Sequence, residues 1–407
     1  MKNHDVAVIG AGLAGSIATL ALAGLGYSVV RIAPATARPD GRTTALMDPS
    51  ITILKDLGLW DGIQPHTAPL SVMQILDGTS RLIRAPAVSF RAAELGMAAF
   101  GYNIPNALFL EQIEATLRSR REISLVEANV TGFDLTEAHC EMMLDTGETI
   151  MAGIVVGADG RHSATREAAG IDSRTWSYPQ TALVLTFAHS LPHRETSIEF
   201  HTESGPFTQV PLPGNRSSLV WVCKPEDAER LMAKPKDALS RDIEIRMQSV
   251  LGKIDIDSPV QSFPLSGMKA ARCGKGRVVL ISEAAHAFPP IGAQGLNLGL
   301  RDIASLMDLL GPKSESPIDS TIGDRFDRVR RTDIASRTVG VDLLNRSLLS
   351  DFLPVQVLRA AGLQALASGG PLRSFIMREG LAPGSALSGT LASIARGLRE
   401  KIGRQRA

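Results

Sequence analysis

The residues with the clearest chemical use fall in three separated runs. The first is Gly10-Ala11-Gly12-Leu13-Ala14-Gly15. Glycines at these intervals suit a turn that hands a strand over to a helix. Gly10 permits the tight turn, Gly12 lets the backbone approach a pyrophosphate, and Gly15 lets helix and strand pack closely. The helix N-terminus then offers free N–H groups and the positive end of its dipole to phosphate oxygens. The second run extends from Val155 to Arg166, where an apolar strand leaves through Gly157 and Gly160 around Asp159, and Arg161 and Arg166 add fixed positive charge. Asp159 could be a turn former, but the run Gly157-Ala158-Asp159-Gly160-Arg161 is long for that alone, so it reads as a site carboxylate. In the third run the strand Val278-Val279-Leu280-Ile281 delivers a carboxylate, Glu283, and a Pro/Gly loop opens a helix near Gln294. Such a helix N-terminus would stabilise negative charge on a ring facing it. His286, inside Ala-Ala-His-Ala, reads more simply as a structural hydrogen bonder than as a catalytic group.

These residues need elements to position them. From Val6 to Val30 there is no charge, a length that could span a bilayer. Gly10, Gly12, Gly15, Gly24 and Gly26 divide it instead into a strand over 5–9, a turn, a helix over 16–25 and a second strand over 27–32. Strand, glycine turn, helix and strand is the order a parallel sheet requires. Strand-then-turn signals near Val6, Ile154 and Val278 predict one dinucleotide-binding domain assembled from 1–70, 100–175 and 265–340. The second strand closes on Val29-Val30-Arg31-Ile32-Ala33-Pro34, so Ala33 stands where such a fold usually keeps an acid for a ribose hydroxyl. That departure argues against NAD as the tightly held cofactor. Residues 181–224 alternate apolar and polar side chains between Pro and Gly, which predicts an antiparallel sheet with one covered face. With 71–99 and 176–264 it forms the expected substrate domain. Residues 226–251 read as helix, and 341–407 as a C-terminal helical region with a basic tail.

The bulk properties narrow the class. The chain has 407 residues, 44% apolar and 21% charged, the mix of an ordinary globular protein rather than a disordered or polytopic membrane one. A net charge of +1 and 4% aromatics offer neither the field nor the stacking surface that nucleic acid needs. Three distant cysteines, Cys140, Cys223 and Cys273, point to a reducing cytoplasm and to no disulfide framework. His189, His193 and His201 are parted by Pro192, so no helical metal pair is expected there. From Pro371 onward seven cations face two anions, a net of +5, and Leu387, Leu391, Ile394, Ala395 and Leu398 recur at helical spacing. A terminal helix packed on the domain and a basic amphipathic helix resting on anionic lipid both fit that pattern.

Together the three runs resemble the class A flavoprotein aromatic hydroxylases, the para-hydroxybenzoate hydroxylase fold. The chain is most similar to the ubiquinone-biosynthesis hydroxylases, which oxidise polyprenyl phenols. That closer likeness rests on Asp40-Gly41-Arg42-Thr43-Thr44-Ala45-Leu46 followed by Leu57-Gly58-Leu59-Trp60. It rests also on Tyr178-Pro179-Gln180, on the run from Gly295 to Asp302, and on Met377-Arg378-Glu379-Gly380. The resemblance implies an α/β fold: a doubly wound Rossmann-like FAD-binding domain, an inserted mainly antiparallel β-sheet substrate domain, and C-terminal helices. It implies FAD, with Gly10, Gly12, Leu13, Ala14 and Gly15 on the ADP part and Arg42, Asp159 and Gly160 near the phosphates. Glu283, Pro290, Gly292, Ala293, Gln294, Gly295, Leu296 and Asn297 would serve the ribityl chain and ring.

The reaction so implied is ring hydroxylation of a polyprenyl phenol by O₂ through a flavin C4a-hydroperoxide, with NAD(P)H or another donor as transient reductant. No catalytic side chain and no metal are required. Contact with other quinone-biosynthesis proteins, and peripheral contact with the inner face of the cell membrane through the tail, are the partners this suggests. The chain departs from the family pattern where Ser282-Glu283 replaces Gly-Asp, at Ala107 after Asn106, at Ala293, and at Ala33. These positions bear on flavin affinity. They keep open a non-catalytic, weakly flavin-binding member of a quinone-synthesis assembly, and another reaction on the same scaffold such as epoxidation or prenyl reduction.

Overall fold

In the computed structural model, residues 2–35, 40–79, 86–289 and 294–349 are described, Lys2, Gln294 and 337–349 by their backbone. The first strand, Lys2–Ile9, pairs in parallel with Thr149–Gly157 on one side and Val29–Ala33 on the other. Val278–Leu280 adds to the far side of Thr149–Gly157, and Ile123–Glu127 to the far side of Val29–Ala33, both in parallel. An antiparallel hairpin, Val130–Leu135 and Cys140–Leu144, leans on Thr149–Gly157, and the short strand Gly274–Lys275 pairs antiparallel with Val278–Leu280 to complete the sheet. Parallel strands are covered on both faces and read as unbroken apolar runs. Val6, Ala7, Val8, Val155, Val156, Val279 and Leu280 are fully buried accordingly. Helices Leu13–Gly24, Asn106–Ser119 and Gln294–Leu310 bury their apolar stripes against one face.

Boundaries differ from the sequence reading, and the first strand already begins at Lys2 rather than Asp5. The first helix begins at Leu13 rather than Ser16, because Gly12 already serves as its N-cap with an extended backbone. The second strand begins at Val29 rather than Tyr27. The Tyr27 N–H still donates to Leu22 of the preceding helix (3.3 Å), across a left-handed Gly26.

A second sheet of nine strands is mainly antiparallel. Its longest member, Ser173–His189, lies between Arg216–Cys223 and Gln261–Ala270. Gly205–Leu212, Thr196–Thr202, Val72–Asp77 and Val88–Arg91 continue it outward. Helices Pro225–Met232 and Lys236–Arg246 cover one face, over Leu183, Phe187, Phe207, Leu219 and Trp221. The single helix expected over 226–251 is thus two, since Pro235 cannot continue a helix it does not begin.

A small sheet of Thr43–Met47, Gly101–Pro105 and Ala68–Pro69 joins the two units. Across that seam the Asn103 amide Nδ2 donates to the Pro211 carbonyl (2.9 Å), and the Thr43 and Ser218 hydroxyls are 2.9 Å apart. Ser218 therefore points toward the dinucleotide unit. So do Val220 and Val222, which share its face by strand alternation.

Candidate functional site

The glycine turn is built as its spacing implies. Gly10 has φ +119°, and a Cβ there would lie 2.4 Å from the Ala158 carbonyl oxygen. A Cβ on Gly15 would lie 2.2 Å from the Gly10 carbonyl oxygen. Gly12 is different: nothing stands within 4 Å of the place its Cβ would take. No side chain caps the helix that starts at Leu13, and its first turn carries no acid. The first amides of a helix have no partner inside it, so this open space faces unpaired N–H donors. Ala14 packs into the core and Leu13 lies against it.

The three runs meet at this turn. Ala158 N donates to Ile9 O (2.8 Å) and Ile281 N to Gly157 O (3.0 Å). Asp159 follows at once, but its carboxylate points inward. It accepts from Ser163 Oγ (2.5 Å) and from the Thr165 amide and hydroxyl (3.0 Å each). Of the two readings of Asp159, the geometry favours the turn former, which orders the start of the short helix Ala164–Ala168. Gly160 takes φ +80° beside it. Arg166 is buried and bridges runs, donating to the carbonyls of Ala284 (3.0 Å) and Arg161 (2.8 Å). It is a structural strut rather than a charge presented to a ligand.

Glu283 and Arg161 face each other at 3.6 Å, both partly exposed, and Arg161 also donates to Ser266 Oγ (2.7 Å). Arg42 stands near enough to feel the charge of Glu283. Its guanidinium forms two hydrogen bonds to Asp40 (2.8 and 2.9 Å) and its backbone amide a third (3.0 Å), and Asp40 Oδ2 also accepts from Asn106 Nδ2 (2.8 Å). Burial alone would raise the Asp40 carboxyl, but Arg42 and Asn106 outweigh it and hold it below the usual range.

Asn297 is buried and acts as a clamp. Its Oδ1 accepts from the Met47 amide (2.9 Å) and the Ser50 hydroxyl (2.7 Å), and its Nδ2 donates to Ala45 O (2.8 Å). That fixes the first turn of helix Gln294–Leu310 against strand Thr43–Met47. Gly295 is exposed with open space around it, and Leu296 lies against the core. Pro290, Gly292 and Ala293 lie outside the described residues, as does the side chain of Gln294.

Beneath the third run is a buried ionic knot that sequence reading missed. Asp302, fully buried, accepts from His286 Nε2 (2.7 Å), Arg330 Nε (2.7 Å) and the Ser282 amide (2.9 Å). Burial pushes its carboxyl up, yet His286 and Arg330 outweigh that and hold it below its ordinary value. The structural reading of His286 fits this placement. The Ser282 backbone is left-handed, with φ +53°.

On the second parallel strand, the guanidinium of Arg31 forms paired bonds to both oxygens of Glu114, one of them 2.9 Å, and Ser16 Oγ joins it at 3.0 Å. Burial would raise Glu114, and Arg31 more than reverses it.

Residues 3–316 match the FAD binding domain family. The chain belongs to that family. Within it, the chain is 33% identical over 397 residues to the ubiquinone hydroxylase UbiL of Rhodospirillum rubrum, covering 93% of this chain and 90% of that one. It is 28% identical to the 3-demethoxyubiquinol 3-hydroxylase of Escherichia coli, covering 93% and 98%. Among solved structures, PqsL of Pseudomonas aeruginosa, a probable FAD-dependent monooxygenase, shares the fold with a TM-score of 0.74 at 20% identity. That match covers 89% of this chain and all of PqsL.

The residues present fit the FAD of this family. The space at Gly12 and the uncapped helix start suit its pyrophosphate. Arg42 is exposed enough to turn toward a phosphate. Among the described residues no group of His, Cys, Asp or Glu could hold a metal ion.

Proposed function

We propose that the chain is an FAD-dependent monooxygenase that hydroxylates the aromatic ring of a polyprenylated phenol in ubiquinone biosynthesis. The observation that carries this reading is near full-length similarity to ubiquinone hydroxylases, on a chain whose glycine turn is open for a dinucleotide. Bound FAD supplies the redox chemistry: with two electrons from a donor it activates O₂, one atom of which ends on the ring while the other leaves as water. NAD(P)H is the donor in this proposal.

The protein binds, orients and excludes water. The Gly10–Gly15 turn and the helix after it hold the phosphates, with Arg42, Asp159 and Gly160 shaping the neighbouring loop. Glu283, Gln294, Gly295, Leu296 and Asn297 set the strand end and helix start that face the ring system, and Pro290, Gly292 and Ala293, which lie between them in sequence, would serve the same ring system. The sheet face that bears Val220 and Val222 joins Tyr178, Ala182 and Leu265 in an apolar patch suited to an alkylated ring. Division into a cofactor unit from 1–70, 100–175 and 265–340 and a substrate unit from 71–99 and 176–264 follows from this assignment. The substrate's lipid tail gives a reason for peripheral membrane contact and for association with other quinone-biosynthesis proteins.

Deleting the gene is expected to remove ubiquinone and to accumulate a polyprenyl phenol short of one ring hydroxyl, seen by mass spectrometry of lipid extracts. A normal quinone pool in that strain rules the proposal out.

A further inference from the structure

A dinucleotide fold holds its adenosine ribose with an acid at the end of the second parallel strand, and here that strand ends in Ala33. Glu114 is on the same side of the sheet, but Arg31 and Ser16 occupy its carboxylate. We propose that Glu127, from the next strand over, takes the ribose hydroxyls of FAD in place of the missing acid.

The register makes the substitution. Ala33 is the parallel partner of Glu127, and the Ala128 amide donates to the Ala33 carbonyl (3.0 Å), which locks the two strand ends side by side. Paired residues of parallel strands project to the same face. Arg31, two residues before Ala33, projects toward Ser16 and Glu114 on helices Leu13–Gly24 and Asn106–Ser119, so Ala33 and Glu127 project to that side as well. Both lie at the carboxyl ends of their strands, where ligands of open α/β sheets bind. Neighbouring strands are about 4.8 Å apart, a gap that the length of a glutamate can cross. Ala33 leaves room for it, having only a methyl group. Glu127 is exposed, and among the described residues it makes no ion pair or hydrogen bond, so its carboxylate is available. The inference rests on membership of the FAD binding domain family and not on the identity of the phenol.

The test is FAD titration of the flavin-stripped full chain, followed by quenching of flavin fluorescence. Glu127→Gln is expected to weaken FAD binding about ten- to a hundredfold, the range of a charge-assisted hydrogen bond. Binding of FMN, which lacks the adenosine, should not change. Adding Ala33→Glu to that variant should restore FAD affinity. Unchanged FAD affinity in Glu127→Gln overturns the inference, and so does equal weakening of FAD and FMN. A second measurement needs no variant: ADP should displace FAD from the wild-type chain at lower concentration than 2′,3′-dideoxy-ADP. Equal displacement by the two overturns the inference as well.

Discussion

Ser282 is held in a conformation that its side chain disfavours. Its φ of +53° is left-handed, and its Cβ and Oγ lie 3.0 Å from where a Cβ of Gly299 would be. The hydrogen bond that the Ser282 amide donates to the Asp302 carboxylate fixes the backbone there regardless of residue type. Left-handed backbone costs an L-residue about 1–2 kcal/mol, which glycine avoids in exchange for extra freedom when unfolded. Ser282→Gly is therefore expected to stabilise the protein by about 1 kcal/mol, read as a higher urea midpoint with an unchanged slope. A lower midpoint would mean that the hydroxyl makes a contact worth more than the strain. The same position shows what sequence reveals of single residues. Ser282 was legible as a departure from Gly-Asp, yet the reason glycine suits it is a backbone angle. Asp159 has partners only four and six residues away, so its turn-forming role was within reach of a local reading. One of the two carbonyls that Arg166 reaches is that of Ala284, 118 residues distant, and no local signal announces it. Asp302 closes a recognisable sequence run, but its burial with Arg330 depends on a helix whose packing the sequence does not specify.

At the scale of elements, the strand–turn–helix of residues 2–24 separates two duties among Gly10, Gly12 and Gly15, the three glycines of its turn motif. Gly10 and Gly15 exist for the fold, since a Cβ at either meets backbone at 2.4 or 2.2 Å. Gly12 exists for the ligand, because its backbone angles are ordinary and the space around it is open. Gly12→Ala should thus fold and melt like the wild type in the absence of flavin, but lose FAD affinity at least tenfold as its methyl enters the phosphate space. Gly10→Ala and Gly15→Ala should lose stability outright, by several kcal/mol, because close-packed backbone cannot yield. Circular dichroism melts beside flavin titrations check both halves. A Gly12→Ala chain that binds FAD normally would place the pyrophosphate elsewhere. Elements of this kind were readable because strand, turn and helix each leave a local pattern. The boundary at Pro235 was just as local, and the apolar period on both sides of it masked the break. Pairing order was not readable beyond its logic: that Ile123–Glu127 joins Val29–Ala33, rather than the opposite edge, is settled by tertiary packing.

The whole molecule must meet a substrate that, in the proposed reaction, lives in a bilayer. No described helix is long and apolar enough to cross a membrane. The chain's charge is nearly balanced at +1, yet residues 371–407 alone carry +5, which leaves −4 for the remainder. That segment lies outside the described residues, so its charge pattern is the argument. A basic stretch near an anionic surface gains about 1 kcal/mol per Lys or Arg, screened within a Debye length, and apolar residues at helical spacing add to it. Ending the chain near Gly380 removes Arg396, Arg399, Lys401, Arg404 and Arg406 together with Leu387, Leu391, Ile394 and Leu398. The full chain is expected to sediment with anionic vesicles at low salt and to be released as salt rises, while the shortened chain stays in the supernatant. Both should keep the flavin spectrum, since the cofactor's residues lie far upstream in the chain. If the two chains sediment alike, the tail is not the membrane contact, and the phenol must be delivered by another surface or another protein.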